Sequence, residues 1–199
     1  MKSNRIKIGF NIFKTILCLS LVFSSSTIVH AQVPPPVDIP VQNIPQETQV
    51  WCWVAVAQQI IMFCQGPQRT PPQCALVAIA NDAPPQACCS GYNPMCVITG
   101  STPQIQGLIA HFGGRYSGIA PPADPMTLYR TLASGKPIIL QVRTGMQSAH
   151  VVVLRGMSFM PTPYGAEPVL HINDPMAYFT QPVPFSNLMR IWMSAIVVH

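Results

Sequence analysis

Residues 51–64 are apolar almost all round, with Gln58 and Gln59 the only plainly polar members. A helix without a polar face belongs in the interior of a protein. Gly66, Pro67, Pro71 and Pro72 end it, and residues 73–80 read as a short second helix. A third helix starts at Ser101 or Thr102 with Pro103 in its first turn. Ile105, Leu108, Ile109 and Phe112 then follow at i, i+3, i+4 and i+7, and Gly113 stops it. A fourth runs from Asp124 and Pro125 through Leu128 and Leu132 to Gly135. Beyond Gly135 the pattern changes. Residues 137–142, 150–154, 168–172 and 195–198 are short β-branched runs separated by Gly, Pro and Asn. Helices first and strands second predict an α+β domain with a helical half and a sheet half. Residues 33–45 form a proline-rich stretch, expected to be extended and to lie on the surface. Residues 84–94 read as a loop that holds Cys88 and Cys89.

The N-terminus carries a different pattern. Lys2, Arg5, Lys7 and Lys14 make a basic start, residues 16–23 are apolar, and Val29-His30-Ala31 offers a cleavage site. That is the layout of a secretory signal peptide over residues 1–31, with an uncleaved anchor as the alternative. The expected organisation is a signal peptide at 1–31, a proline-rich lead-in at 32–45 and one folded domain at 46–199. The expected location is extracellular or periplasmic, with no membrane association once the signal is removed. The leader takes four of the eleven Lys/Arg and none of the six Asp/Glu, so the rest is near neutral. A chain without a cationic surplus gives no support to nucleic-acid binding. Export permits disulfides, and six of the seven cysteines lie beyond the leader: Cys52, Cys64, Cys74, Cys88, Cys89 and Cys96.

Cys52 falls at the start of the buried helix. Free N–H groups and the positive end of the helix dipole favour a thiolate there. A half-cystine or an inert core thiol is the plainer alternative. Gln46, six residues upstream, can fold back and donate its amide to an oxyanion together with the Cys52 N–H. Gln49 competes for that role. A cysteine nucleophile needs a base, and the base needs an orienting group. His111 falls near the end of a surface helix, His171 within a strand and His199 at the last position. His150 opens a strand directly after a loop, where a side chain faces a cleft while the strand holds it. Asp174 ends the next strand. Strand alternation sets it on the side opposite Asn173, the alternative orienter.

With these residues in order, the chain resembles the papain-like cysteine proteases. The likeness rests on Gln46 before Cys52-Trp53, on Gln73-Cys74-Ala75-Leu76-Val77 and on Cys88-Cys89-Ser90-Gly91 with Cys96. It continues in Gly135-Lys136-Pro137-Ile138-Ile139, in residues 149–156 around His150, and in Ile172-Asn173-Asp174-Pro175. The branch it resembles is the compact bacterial one of staphopain-type enzymes and plant-pathogen effector proteases. The likeness covers residues 46–175. It implies a papain-like fold, a helical half carrying the nucleophile helix packed on an antiparallel sheet half. It also implies peptide hydrolysis through Cys52, His150 and Asp174, with Gln46 as oxyanion donor. Two departures stand out. Gln49-Val50-Trp51 replaces the usual cysteine-bearing run before the nucleophile, and Cys52 and His150 are only 98 residues apart, against about 130–150 in the plant and lysosomal enzymes.

Among Cys64, Cys74, Cys88, Cys89 and Cys96, two disulfides and one free thiol are expected, with connectivity left open. The spacings lack paired C-x-x-C units, so neither a metal nor another cofactor is expected. The expected partner is a protein or peptide substrate. Only 14 residues separate the leader from Gln46, so latency is expected from compartment or from a proteinaceous inhibitor or chaperone rather than from a pro-segment. Trp192 is a candidate wall of the cleft or a core residue. Two other functions fit the same residues: an acyltransferase or deamidase using the same triad, and an inactive disulfide-stabilised binding module in which every mature cysteine is paired.

Overall fold

The computed structural model describes residues 33–199; the signal peptide expected at 1–31 lies outside them. The apolar run at 51–64 folds as helix α1, Cys52–Gln65, in which every residue from Trp53 to Ile61 is buried. Helix α2, Gln73–Ala80, begins immediately after Pro71 and Pro72. Helix α3, Thr102–His111, has Ser101 as its N-cap in a reciprocal capping box with Gln104, and Pro103 sits in its first turn. Helix α4, Pro125–Ala133, is capped by Asp124, whose carboxylate accepts the N–H groups of Met126 and Thr127. Helix α1 packs against α2 and α3, and its buried face rests on the sheet.

The sheet is six-stranded and wholly antiparallel. Its strands are β1 (Val37–Asp38), β2 (Ile138–Arg143), β3 (Ala149–Thr162), β4 (Gly165–Asn173), β5 (Val183–Pro184) and β6 (Trp192–Val197). They run in the order β5-β4-β3-β2-β6, with β1 paired to β3. A one-turn helix, α5 (Phe185–Leu188), joins β5 to β6. This is an α+β papain-like architecture, helices on one side and an antiparallel sheet on the other.

Four elements depart from the sequence reading. Strand β3 continues eight residues past Leu154, to Thr162. Gly156 and Pro161 read as punctuation, yet the strand passes Arg155-Gly156 as a bulge between Leu154 and Gly156 and pairs Pro161 with Ala166 in regular register. Gly156 serves a second purpose. A Cβ there would lie 2.6 Å from the Val37 carbonyl, so the glycine lets β1 approach. The proline-rich lead-in is extended as expected, but it is partly interior: it supplies β1, and Ile39 and Val41 enter the core. The strand β5 and helix α5 were not anticipated.

Candidate active site

Cys52 is the first residue of α1. The N-cap, Trp51, offers no side-chain hydrogen bond, and the first turn holds no acidic residue. The N–H groups of that turn therefore stay free, and no neighbouring carboxylate offsets the positive helix end. The residues on either side of Cys52 are anchored through their indoles. Trp51 Nε1 donates to the Cys96 carbonyl at 2.9 Å, and Trp53 Nε1 to the Ile98 carbonyl at 3.3 Å.

The loop that receives these bonds is stapled. Cys74 pairs with Cys89 and Cys88 with Cys96, leaving Cys52 and Cys64 free among the described residues. Two disulfides and one free thiol among the five candidate cysteines agree with the sequence reading. Beyond Cys96 the loop runs through Gly100, directly against Trp53. A Cβ on Gly100 would collide with the indole. Gly100→Ala is therefore expected to lower unfolding stability by about 1–3 kcal/mol, read from a denaturant melt, because an overpacked site forces its neighbours to shift.

His150 is the second residue of β3 and Asp174 the first beyond β4, and the pairing of these strands brings them together. His150 Nε2 lies 2.6 Å from Asp174 Oδ1, and both residues are buried. With Nε2 so engaged, Nδ1 is left for the Cys52 side, and both Cys52 and His150 line the same cleft. Asp174 also accepts the N–H of Met176 at 2.8 Å and that of Phe179 at 3.0 Å. To wrap the carboxylate this way the chain turns at Ala177, which adopts φ 59°. Asn173 faces the other way: its Oδ1 accepts from Arg155 Nε at 2.9 Å and its Nδ2 donates to the Val41 carbonyl at 2.8 Å. It is Asp174 that touches His150.

The electrostatics follow from these contacts. Burial disfavours the His150 imidazolium, but the Asp174 hydrogen bond, then contact with Cys52, outweigh it and raise the pKa from 6.5 to about 9. Burial likewise works against the Asp174 carboxylate. The His150 bond and the two backbone N–H groups prevail and hold its pKa below the ordinary carboxylate value.

The cleft has a volume of about 510 Å³. Cys52, Gln49 and Trp53 form one wall, residues 99–102 a second, and Gln141, Ser148 and His150 a third. Tyr178 completes it, its ring edge-on to His150 at 5.5 Å between centroids. Tyr178 and residues 99–102 were not anticipated; nothing local in the sequence marks them. Gln46 does not line the cleft: its Nε2 donates to the Thr48 carbonyl at 2.6 Å, and its Oε1 is buried without a partner. Trp192 is a core residue whose Nε1 donates to the Ser194 carbonyl. His111 and His199 are exposed, and His171 contacts Ser158 Oγ at 3.0 Å. Among the described residues, no group of three or more His, Cys, Asp or Glu is arranged to hold a metal ion. No described helix is long and apolar enough to cross a membrane.

Comparison with known proteins adds an independent finding. The model of the Peptidase_C39 like family matches residues 38–195. No curated protein matches. Among solved structures, one from Bacillus anthracis, provisionally titled a C39-like peptidase, is similar with a TM-score of 0.51 at 14% identity. The match covers 83% of this chain and 98% of that one. At that identity the likeness speaks for the fold alone.

Proposed function

From the premise that this chain belongs to the Peptidase_C39 like family, we propose that it is a secreted cysteine endopeptidase working through Cys52, His150 and Asp174. The observation that carries the reading is a free cysteine at a helix N-terminus, sharing a cleft with a buried histidine held at 2.6 Å by a buried aspartate. In this mechanism the Cys52 thiolate attacks the peptide carbonyl while His150 is protonated. The N–H of Cys52 and an amide from Gln46 hold the oxyanion, the Gln46 side chain turning from the Thr48 carbonyl toward the cleft to do so. Gln49, which lines the cleft, is the alternative donor. His150 then gives its proton to the leaving amine, and water hydrolyses the thioester. Peptide or protein is the substrate class. Secretion and control by an inhibitor or chaperone are parts of the same proposal, as is the narrower kinship with staphopain-type and effector proteases; the catalytic domain takes in the lead-in from β1 onward rather than starting at residue 46.

The free state of Cys52 speaks against a binding module in which all mature cysteines pair. Acyl transfer and deamidation use the same triad, and mass spectrometry of products separates them from hydrolysis. The test is cleavage of denatured casein across pH. The rate is expected to fall on the alkaline side as His150 loses its proton near pH 9. Stability follows the same group. Because its folded pKa lies above the unfolded value, its contribution is complete below about pH 6.5 and is lost as the pH rises through about 9. The Asp174 contribution has the opposite sense, being present above about pH 3.8 and lost as the pH falls below it. A rate and a melting temperature both unchanged from pH 7 to 10 would overturn the assignment of His150.

A further inference from the structure

Three glutamines on the helical side, Gln58, Gln59 and Gln73, are buried and take no part in the chemistry proposed above. A buried amide is unfavourable unless its donors and acceptor are matched. Gln73, the first residue of α2, matches all of its own. Its Oε1 accepts the Glu47 N–H at 2.9 Å, and its Nε2 donates to the Pro45 carbonyl at 2.8 Å and to Gln58 Oε1 at 3.1 Å. These partners fix which end of the amide is oxygen and which is nitrogen. The two backbone contacts flank one residue, Gln46. Gln46 is held from the opposite side as well, its N–H donating to the Pro175 carbonyl at 3.1 Å, next to Asp174. Gln59 extends the grip upstream, donating to Asn43 Oδ1 and to the Ile44 carbonyl. Residues 39–45 have no regular secondary structure to hold them.

We propose that Gln73 is a positioning residue for the oxyanion donor, clasping the backbone on both sides of Gln46 and fixing it relative to the start of α1. The inference rests on the cysteine-peptidase reading and on Gln46 as donor: the clasp fixes the Gln46 backbone, and its side chain turns from Thr48 toward the cleft when the oxyanion forms. It gives the buried amide a purpose that packing alone does not, since an aliphatic side chain would fill the same space without a desolvation cost. An amide aimed at an oxyanion contributes only when held to within a fraction of an ångström, and small misplacements cost large factors in rate.

The test compares Gln73→Met, Gln46→Ala and the double variant in three assays: casein hydrolysis, inhibition by a peptide aldehyde and alkylation of Cys52 by iodoacetamide. The aldehyde forms a tetrahedral adduct that needs the oxyanion donors, whereas alkylation needs only the thiolate. Gln73→Met is expected to weaken aldehyde inhibition about tenfold and to lower kcat by a similar factor at constant KM. The alkylation rate should not change, and the loss should add little to that of Gln46→Ala. Gln73→Glu, which keeps the acceptor for Glu47 and loses the donors, is measured alongside in case the methionine variant does not fold. Native aldehyde affinity in the Gln73 variants, with Gln46→Ala impaired, would overturn the inference and leave the donor reading intact. A parallel fall in alkylation would also overturn it, making Gln73 a support of the whole fold. Native affinity in Gln46→Ala would instead remove the donor reading and the inference together.

Discussion

Cys52→Ala is expected to abolish peptide hydrolysis, lowering kcat by roughly 10⁴-fold or more. The substitution removes one sulfur atom at the first position of α1. It leaves the Trp51 and Trp53 indole bonds to the stapled loop, and the His150–Asp174 pair, untouched. The fold should therefore persist, with a melting temperature within a few degrees of the parent. Loss of activity in a folded protein is the signature of a nucleophile. Residual hydrolysis near the parent rate would transfer the chemistry to another residue. Cys64, the other free thiol among the described residues, lies near the opposite end of α1 and is absent from the cleft.

Asp174→Ala is expected to be costly twice over. Three donors converge on this carboxylate: the His150 ring and the N–H groups of Met176 and Phe179. Truncation leaves all three without their partner in a buried setting, which costs about 3–5 kcal/mol when one member of such a pair is removed. The imidazole then loses both its orientation and the main force raising its pKa, so kcat should fall by roughly 10²-fold or more. Asn173 cannot take over, because it points to the other face and is committed to Arg155 and Val41. Asp174→Asn separates the two effects. It retains one acceptor and most of the packing but removes the negative charge, so the alkaline limb of the pH profile should move below pH 9. Unfolding curves and pH–rate profiles of both variants check the pair of expectations.

Much of the fold was legible because the informative residues sit at element boundaries. Ser101 with Gln104, and Asp124 before Pro125, mark helix starts whose chemistry is local, and the structure uses them as caps. Strand alternation separates Asp174 from Asn173, and the two side chains do face opposite sides. What escaped depends on distant partners. β1 is two residues of a proline-rich stretch, and only its pairing with Met157 and Gly156 makes it a strand. The far half of β3 contains Gly156 and Pro161, which argue locally against a strand, yet a long ladder with β4 holds it. Which cysteines pair depends on how the loop at 84–96 folds over α2. The site shows the same division. Cys52 and His150 can be picked from their own neighbourhoods. Tyr178 reaches the cleft only because the chain folds back around Asp174. The direction of the Gln46 amide, toward Thr48, is likewise set by contacts that spacing does not encode.

The most direct test of the central claim is alkylation of the native, unreduced protein with a low dose of iodoacetamide at about pH 6, followed by peptide mapping. An ordinary thiol is protonated and nearly inert at that pH. The prediction is selective labelling of Cys52 over Cys64, lost in His150→Ala. An unlabelled Cys52, or labelling that persists at the same rate without His150, would contradict an activated Cys–His pair and with it the peptidase mechanism.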